Sequence, residues 1–203
     1  MKQIIIKSSE LTVAIDPLGA ELASIKDRQG TEHLWQGDAR FWTSRAPVLF
    51  PIVGGLKADR YSLDGQSYEL PKHGFARLRV FTVAEQTDTS VLMTLAADDE
   101  TRASYPFEFQ LSIRYTVCAN RLVVDYQIDN RSDRTLYSSI GAHEGYCCPD
   151  GIEGYDLLFE QEETLRTCEL DGNFLNGDTT VVLAKGSVLP LKTAYFEIGR
   201  AHV

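Results

Sequence analysis

Two runs decide the fold: Phe107-Glu108-Phe109-Gln110-Leu111-Ser112-Ile113-Arg114-Tyr115-Thr116-Val117, and, after a break at Ala119-Asn120, Arg121-Leu122-Val123-Val124-Asp125-Tyr126-Gln127-Ile128-Asp129. Apolar and polar residues alternate through the first run and most of the second. That period of two puts successive side chains on opposite faces of a strand and matches no helix. Two such runs around a short polar break predict an antiparallel hairpin. The alternation continues upstream over 79–86 and 90–97, broken at Thr87-Asp88-Thr89 and Asp98-Asp99-Glu100. Between Asp99 and Tyr105 there is room for one short helical turn, which Pro106 ends.

Outward from this centre the pattern repeats. Tyr61 to Leu70 predicts a hairpin about Asp64-Gly65, a dipeptide suited to the positive φ angles of a tight turn. Short strands are predicted over 3–6, 11–15, 21–25 and 32–36, with turns at Ser8-Ser9-Glu10, Asp16 to Ala20 and Asp27-Arg28-Gln29-Gly30. Residues 38–44 suit one helical turn or an irregular loop. Further on, 135–142 and 155–160 read as strands, and 164–170 and 179–184 as weaker ones. No segment sustains a 3.6-residue apolar period, so the sequence predicts an all-β protein built as a meander of hairpins.

The totals narrow the function. A chain of 203 residues, 43% hydrophobic, is large enough for a sizeable core. A formal net charge of −9 disfavours nucleic acid and anionic membranes as partners. No apolar run is long enough to span a bilayer, and the start, Met1 to Lys7, has no signal-peptide apolar core. The expected location is therefore cytoplasmic. Four cysteines, at 118, 147, 148 and 168, fit no CxxC spacing and are expected as reduced, small buried hydrophobes.

Three stretches interrupt the β pattern. Arg45-Ala46-Pro47-Val48-Leu49-Phe50-Pro51-Ile52-Val53-Gly54-Gly55-Leu56 is apolar but carries prolines and a double glycine. It predicts an extended buried segment that approaches something closely. Leu70-Pro71-Lys72-His73-Gly74-Phe75-Ala76-Arg77 and Gly141-Ala142-His143-Glu144-Gly145-Tyr146-Cys147-Cys148-Pro149 each set a histidine beside glycine. Histidine there either fixes a loop by hydrogen bonding or works by proton exchange near neutrality. Zinc is disfavoured, since adjacent cysteines do not share one tetrahedral ion easily. No G-x-S-x-G elbow, P-loop or G-x-G-x-x-G occurs. Arg45 and Arg77 fall in segments expected to be partly buried, where the charge needs a partner and the fork of donors suits sugar hydroxyls or a phosphate. His33 and Arg60 are expected on the surface. Trp35, Trp42 and Phe50 are aromatic candidates for stacking on a sugar, with core packing the expectation for each.

These three motifs in this order resemble the aldose 1-epimerase (galactose mutarotase-like) family, and more narrowly its LacX-like branch. Gly19-Ala20-Glu21-Leu22 and Leu34-Trp35 add to the likeness, which covers residues 1–198. The resemblance implies a large antiparallel β-sandwich of the galactose mutarotase-like type. It also implies interconversion of the α- and β-anomers of a free aldose, with a small-molecule sugar as partner and no cofactor. In that chemistry a carboxylate takes the C1 hydroxyl proton, a histidine protonates the ring oxygen, the ring opens, the aldehyde end rotates and the ring closes. By motif, His143 is the implied general acid, and His73 and Arg77 bind the substrate, with Arg45 a further candidate contact. Gly55 stands where many relatives carry an arginine. The family's catalytic glutamate and a sugar-binding aspartate lie C-terminal to the resembling part, so the chain is expected to be a truncated member, nearly inactive, ending in a non-native tail at 199–203. Glu144, beside His143 on a strand, is expected to face away from it. Alternatives are a hexose-6-phosphate mutarotase, favoured by Arg77, and a non-catalytic carbohydrate-binding β-sandwich.

Overall fold

The computed structural model describes residues 1–172 and 174–196, Phe196 by its backbone alone. The tail expected at 199–203 lies outside the described residues. The chain divides into two compact units, Met1–Cys147 and Cys148–Val203.

The first unit pairs two antiparallel sheets. One has three strands in sequential order, β1 (Ile4–Lys7), β2 (Leu11–Asp16) and β3 (Glu21–Asp27). After β4 (Val48–Leu49), the strands β5 (Arg60–Leu63) and β6 (Gln66–Glu69) form the hairpin predicted about Asp64-Gly65, whose φ angles are 51° and 81°. The second sheet contains β7 (Thr82–Gln86), β8 (Ser90–Ala96), β9 (Phe109–Cys118) and β10 (Arg121–Asn130), in the order β10-β9-β8-β7. The opening motif of the sequence is its β9–β10 hairpin, in register from Arg121 opposite Cys118 to Asn130 opposite Phe109.

The alternation works as read. On β8 the buried residues are Val91, Met93 and Leu95, and on β9 they include Phe109, Leu111, Ile113, Tyr115 and Val117. They meet Ile4, Ile6, Val13, Ile15 and Leu22 of the three-stranded sheet in one core. Each large side chain buried there contributes about 1.5–3 kcal/mol. The Tyr115 hydroxyl crosses this core and donates to the Ala20 carbonyl at 2.7 Å. Burial pushes its pKa well above the ordinary tyrosine value.

Helix α1 (Asp99–Ser104) is the predicted helical turn. Asp98 caps it: the Thr101 N–H donates to the Asp98 carboxylate, and the Asp98 N–H donates to the Thr101 hydroxyl, both at 2.8 Å.

Two predicted strands form only in part. Residues 32–36 make only single bridges, Lys26 to Glu32 and Leu34 to Tyr146. The Glu32 carboxylate takes the N–H groups of Ile25 at 2.7 Å and Leu34 at 3.0 Å, so a side chain replaces part of a ladder. Of 135–142 only β11 (Gly141–Ala142) pairs, with β4. The cysteines also differ from expectation: Cys118 is exposed, and Cys147, Cys148 and Cys168 are only partly covered.

In the second unit the three predicted strands merge into one long hairpin, β12 (Asp156–Asp171) with β13 (Phe174–Pro190), interrupted by register shifts. Leu189 is its only buried apolar side chain among the described residues. No described helix is long and apolar enough to cross a membrane.

Candidate active site

The interrupted stretches converge at one place in the first unit. Past β4, the Phe50 carbonyl accepts N–H groups from Phe75 at 3.0 Å and Ala76 at 3.2 Å, and Phe50 bridges Gly74 in parallel. The approach at Gly74 is too close for any side chain, because a Cβ there would lie 2.2 Å from the Phe50 oxygen. The sequence expectation of a close backbone approach is met here.

His73 precedes this contact with φ +69°, a left-handed conformation costly for a non-glycine residue. Two bonds to one residue hold it: its N–H donates to the Gly54 carbonyl at 2.7 Å, and the Gly54 N–H donates back to His73 Nδ1 at 3.1 Å. The imidazole is half-buried. Burial lowers its pKa from the ordinary value, and the positive charges of Lys72 and Arg77 and the nearby His143 lower it further.

His143 follows β11 directly and is exposed. Its position is set on both sides. β11 pairs Gly141 with Leu49 and Ala142 with Val48. Beyond it, the Gly145 N–H donates to the Arg45 carbonyl at 2.7 Å, with Trp35 and Trp42 so near that a Cβ on Gly145 would lie 3.0 Å from each. The His143 ring stands 5.1 Å from Trp42 and 6.3 Å from His73, centroid to centroid. Two imidazoles from distant stretches therefore meet at one surface, one clamped to backbone and one exposed against an indole.

Arg77 lies in the turn Ala76–Leu78, half-buried, and its Nη2 donates to the Lys72 carbonyl at 3.3 Å. Its Nε is buried without a hydrogen-bond partner, as is that of Arg45. The backbone at Arg45 is fixed by Glu21, whose Oε1 accepts the N–H groups of Arg45 at 2.7 Å and Ala46 at 2.8 Å. Glu144 lies past the end of β11 at Ala142, outside the strand expected to carry it. It lines a cleft of about 530 Å³ with Leu22, Ile25, Leu122, Val124 and Tyr146, and neither His73 nor His143 borders that cleft. His33 is exposed beside Asp27, and Arg60 is exposed and paired with Glu69.

Some participants are not evident from the sequence. Trp42 is expected in the core, yet it is half-exposed and flanks His143. Its carbonyl accepts the Trp35 indole N–H at 2.8 Å. Gly54 looks like a loop glycine but holds His73. Lys72 adds charge beside the imidazole, and only its adjacency to His73 signals that. Phe50 is in the core as expected, fully buried.

Residues 2–184 match the sequence profile of the aldose 1-epimerase family. The chain is 33% identical over 179 residues to the plasmid-encoded protein LacX of Lactococcus lactis subsp. lactis, an alignment covering 83% of this chain and 59% of that protein. It thus spans about six-tenths of the length of this curated relative. Among solved structures, a galactose mutarotase related enzyme from Lactobacillus acidophilus superposes with a TM-score of 0.88 at 31% identity, covering 94% of this chain and 65% of that one. A galactose mutarotase-like protein from Lactobacillus casei ATCC 334 gives 0.84 at 32% identity, covering 94% and 67%. With its antiparallel all-β architecture and its converging His73 and His143 motifs, the chain belongs to the aldose 1-epimerase family, in the LacX-like branch.

Proposed function

We propose that the protein interconverts the α- and β-anomers of an aldohexose by general acid–base ring opening. The observation that carries this reading is the meeting of the His73 and His143 rings at 6.3 Å, from motifs far apart in the chain. His143 is the general acid: it is exposed, it is oriented by β11 and Trp42, and imidazole exchanges protons near neutrality. Protonating the sugar ring oxygen makes it a leaving group as the C1 hydroxyl loses its proton to a carboxylate. His73, held to Gly54, positions the sugar, with Arg77 and Arg45 as further contacts. The charges that act on His73 are those of Lys72, Arg77 and His143, and the family resemblance places the carboxylate base C-terminal to these motifs.

A second reading has its own support. Lys72 and Arg77 both act on His73, and the Arg77 Nε is buried with no acceptor. A phosphate or carboxylate on the sugar would supply one.

Titration of the labelled protein with galactose, glucose and their 6-phosphates, followed at the His73 and His143 resonances, tests both. Anomer exchange is measured in the same samples by NMR magnetisation transfer. Saturable shifts at both histidines, with any catalysed exchange falling about 100-fold or more in His143→Ala, support the epimerase. A response confined to the 6-phosphates favours the second reading. No saturable response to any of these sugars overturns both.

A further inference from the structure

The clamp between Gly54 and His73 has a chemical consequence beyond holding the loop. A backbone N–H only donates, so the ring nitrogen facing it must accept. The Gly54 N–H points at His73 Nδ1 at 3.1 Å. The reverse bond, His73 N–H to the Gly54 carbonyl at 2.7 Å, leaves the two residues little freedom to separate. A proton on Nδ1 would set donor against donor.

We propose that this clamp fixes His73 as the neutral imidazole bearing its proton on Nε2, so that it offers the ligand a permanent hydrogen-bond donor and never serves as the proton acceptor. The groups facing the ring agree with this. Among the described residues, the groups that act on the ring are the positive Lys72 and Arg77 and a second imidazole, His143, none of which draws a second proton onto it. Partial burial opposes the charged form as well. The two histidines are thereby divided in role, with proton traffic left to His143. His73 Nε2–H recognises an oxygen lone pair, on a sugar hydroxyl or ring oxygen. Gly54 is a positioning residue that acts through His73.

The recognition of a sugar oxygen rests on the epimerase reading, whereas the tautomer does not. Two-bond ¹H–¹⁵N correlation spectra of the histidine-labelled chain, from about pH 8 to about pH 6, read the tautomer directly. The expected result is a bare, pyridine-like Nδ1 and a protonated Nε2 on His73 across the range, with a through-hydrogen-bond coupling to the Gly54 amide nitrogen. An Nδ1-protonated ring, the tautomer mixture of free imidazole, or protonation of His73 within this range would overturn the proposal. Two variants test the donor role. In His73→Gln the amide NH₂ reaches the place of Nε2–H. In His73→Asn the amide reaches only the place of Nδ1, and asparagine tolerates positive φ. Galactose affinity is expected to stay within about tenfold of wild type in His73→Gln and to fall by more than about tenfold in His73→Asn. Equal or tighter binding by His73→Asn overturns the donor role. Should wild type bind neither galactose, glucose nor their 6-phosphates, the epimerase reading fails and the spectra still decide the tautomer.

Discussion

Gly74 shows how a single residue sets the site. It has φ +67°, and a Cβ would lie 2.2 Å from the Phe50 oxygen and 2.5 Å from the Phe50 carbonyl carbon. Neither atom moves easily, because Phe50 is fully buried and its oxygen already accepts two N–H groups. Gly54 offers the contrast: its φ is +86°, but nothing lies within 4 Å of a Cβ built there. Gly54→Ala therefore bears only the cost of the backbone conformation, about 1–2 kcal/mol. For Gly74→Ala the clash is added, and the expected loss is about 3 kcal/mol or more. Urea unfolding of the two variants reads the difference, and equal losses would contradict the close approach. This much is legible in the sequence, since glycine beside histidine in a broken strand announces a tight backbone. What is not legible is the partner: nothing local in Pro71 to Phe75 says that Phe50 is the wall or that Gly54 holds the ring.

Among the elements, β9 is read most completely from its sequence and depends least on distant detail. Its alternation fixes which face is buried, its pairing with β10 follows from the turn at Ala119-Asn120, and it pairs with β8 across the connection that holds α1. Where the sequence misleads, side chains have taken over backbone hydrogen bonding. Glu32 does so at the edge of β3. In the segment after β10, the Asn130 amide donates to the Arg134 carbonyl at 2.9 Å and the Tyr105 hydroxyl to the Tyr137 carbonyl at 2.8 Å. An alternating pattern reports which residues suit a pleat, not whether the backbone groups are already spoken for. Tyr115 carries a related risk inside the core. Its hydroxyl is the partner that β9 supplies to the Ala20 carbonyl, at 2.7 Å and fully buried. Tyr115→Phe keeps the ring and removes that partner, so it is expected to cost about 1–2 kcal/mol, near the worth of a buried hydrogen bond with one member left unsatisfied. The urea midpoint should fall while the slope stays the same. An unchanged midpoint would mean that the bond between the sheets contributes nothing net.

At the scale of the molecule, apolar burial is unevenly shared. The first unit holds the clustered core, from Ile4 through Phe50 to Val117, in which the Phe50 ring meets Phe75, Tyr105 and Phe109 at centroid distances of 5.2–6.1 Å. The β12–β13 hairpin is long, but Leu189 is its only buried apolar side chain among the described residues, while Leu157, Leu158, Phe174 and Leu175 are exposed. The candidate residues His73, His143, Arg77 and Arg45 all belong to the first unit. An isolated two-stranded hairpin is marginally stable in water however many ladder bonds it makes, because water competes for every one of them. The two units are therefore expected to differ in local stability. In native-state hydrogen exchange, amides in the middle of β8 and β9 should exchange only through global unfolding. Those of β12 and β13 should exchange at least about 100-fold faster, through local opening that costs about 3 kcal/mol less. His73 and Gly54 amides, tied to the core by Phe50, should behave like β9. Protection of β12–β13 equal to that of β9 would show that burial in the first unit does not set the order of opening, and that the hairpin draws its stability from something other than the apolar contacts of its described residues.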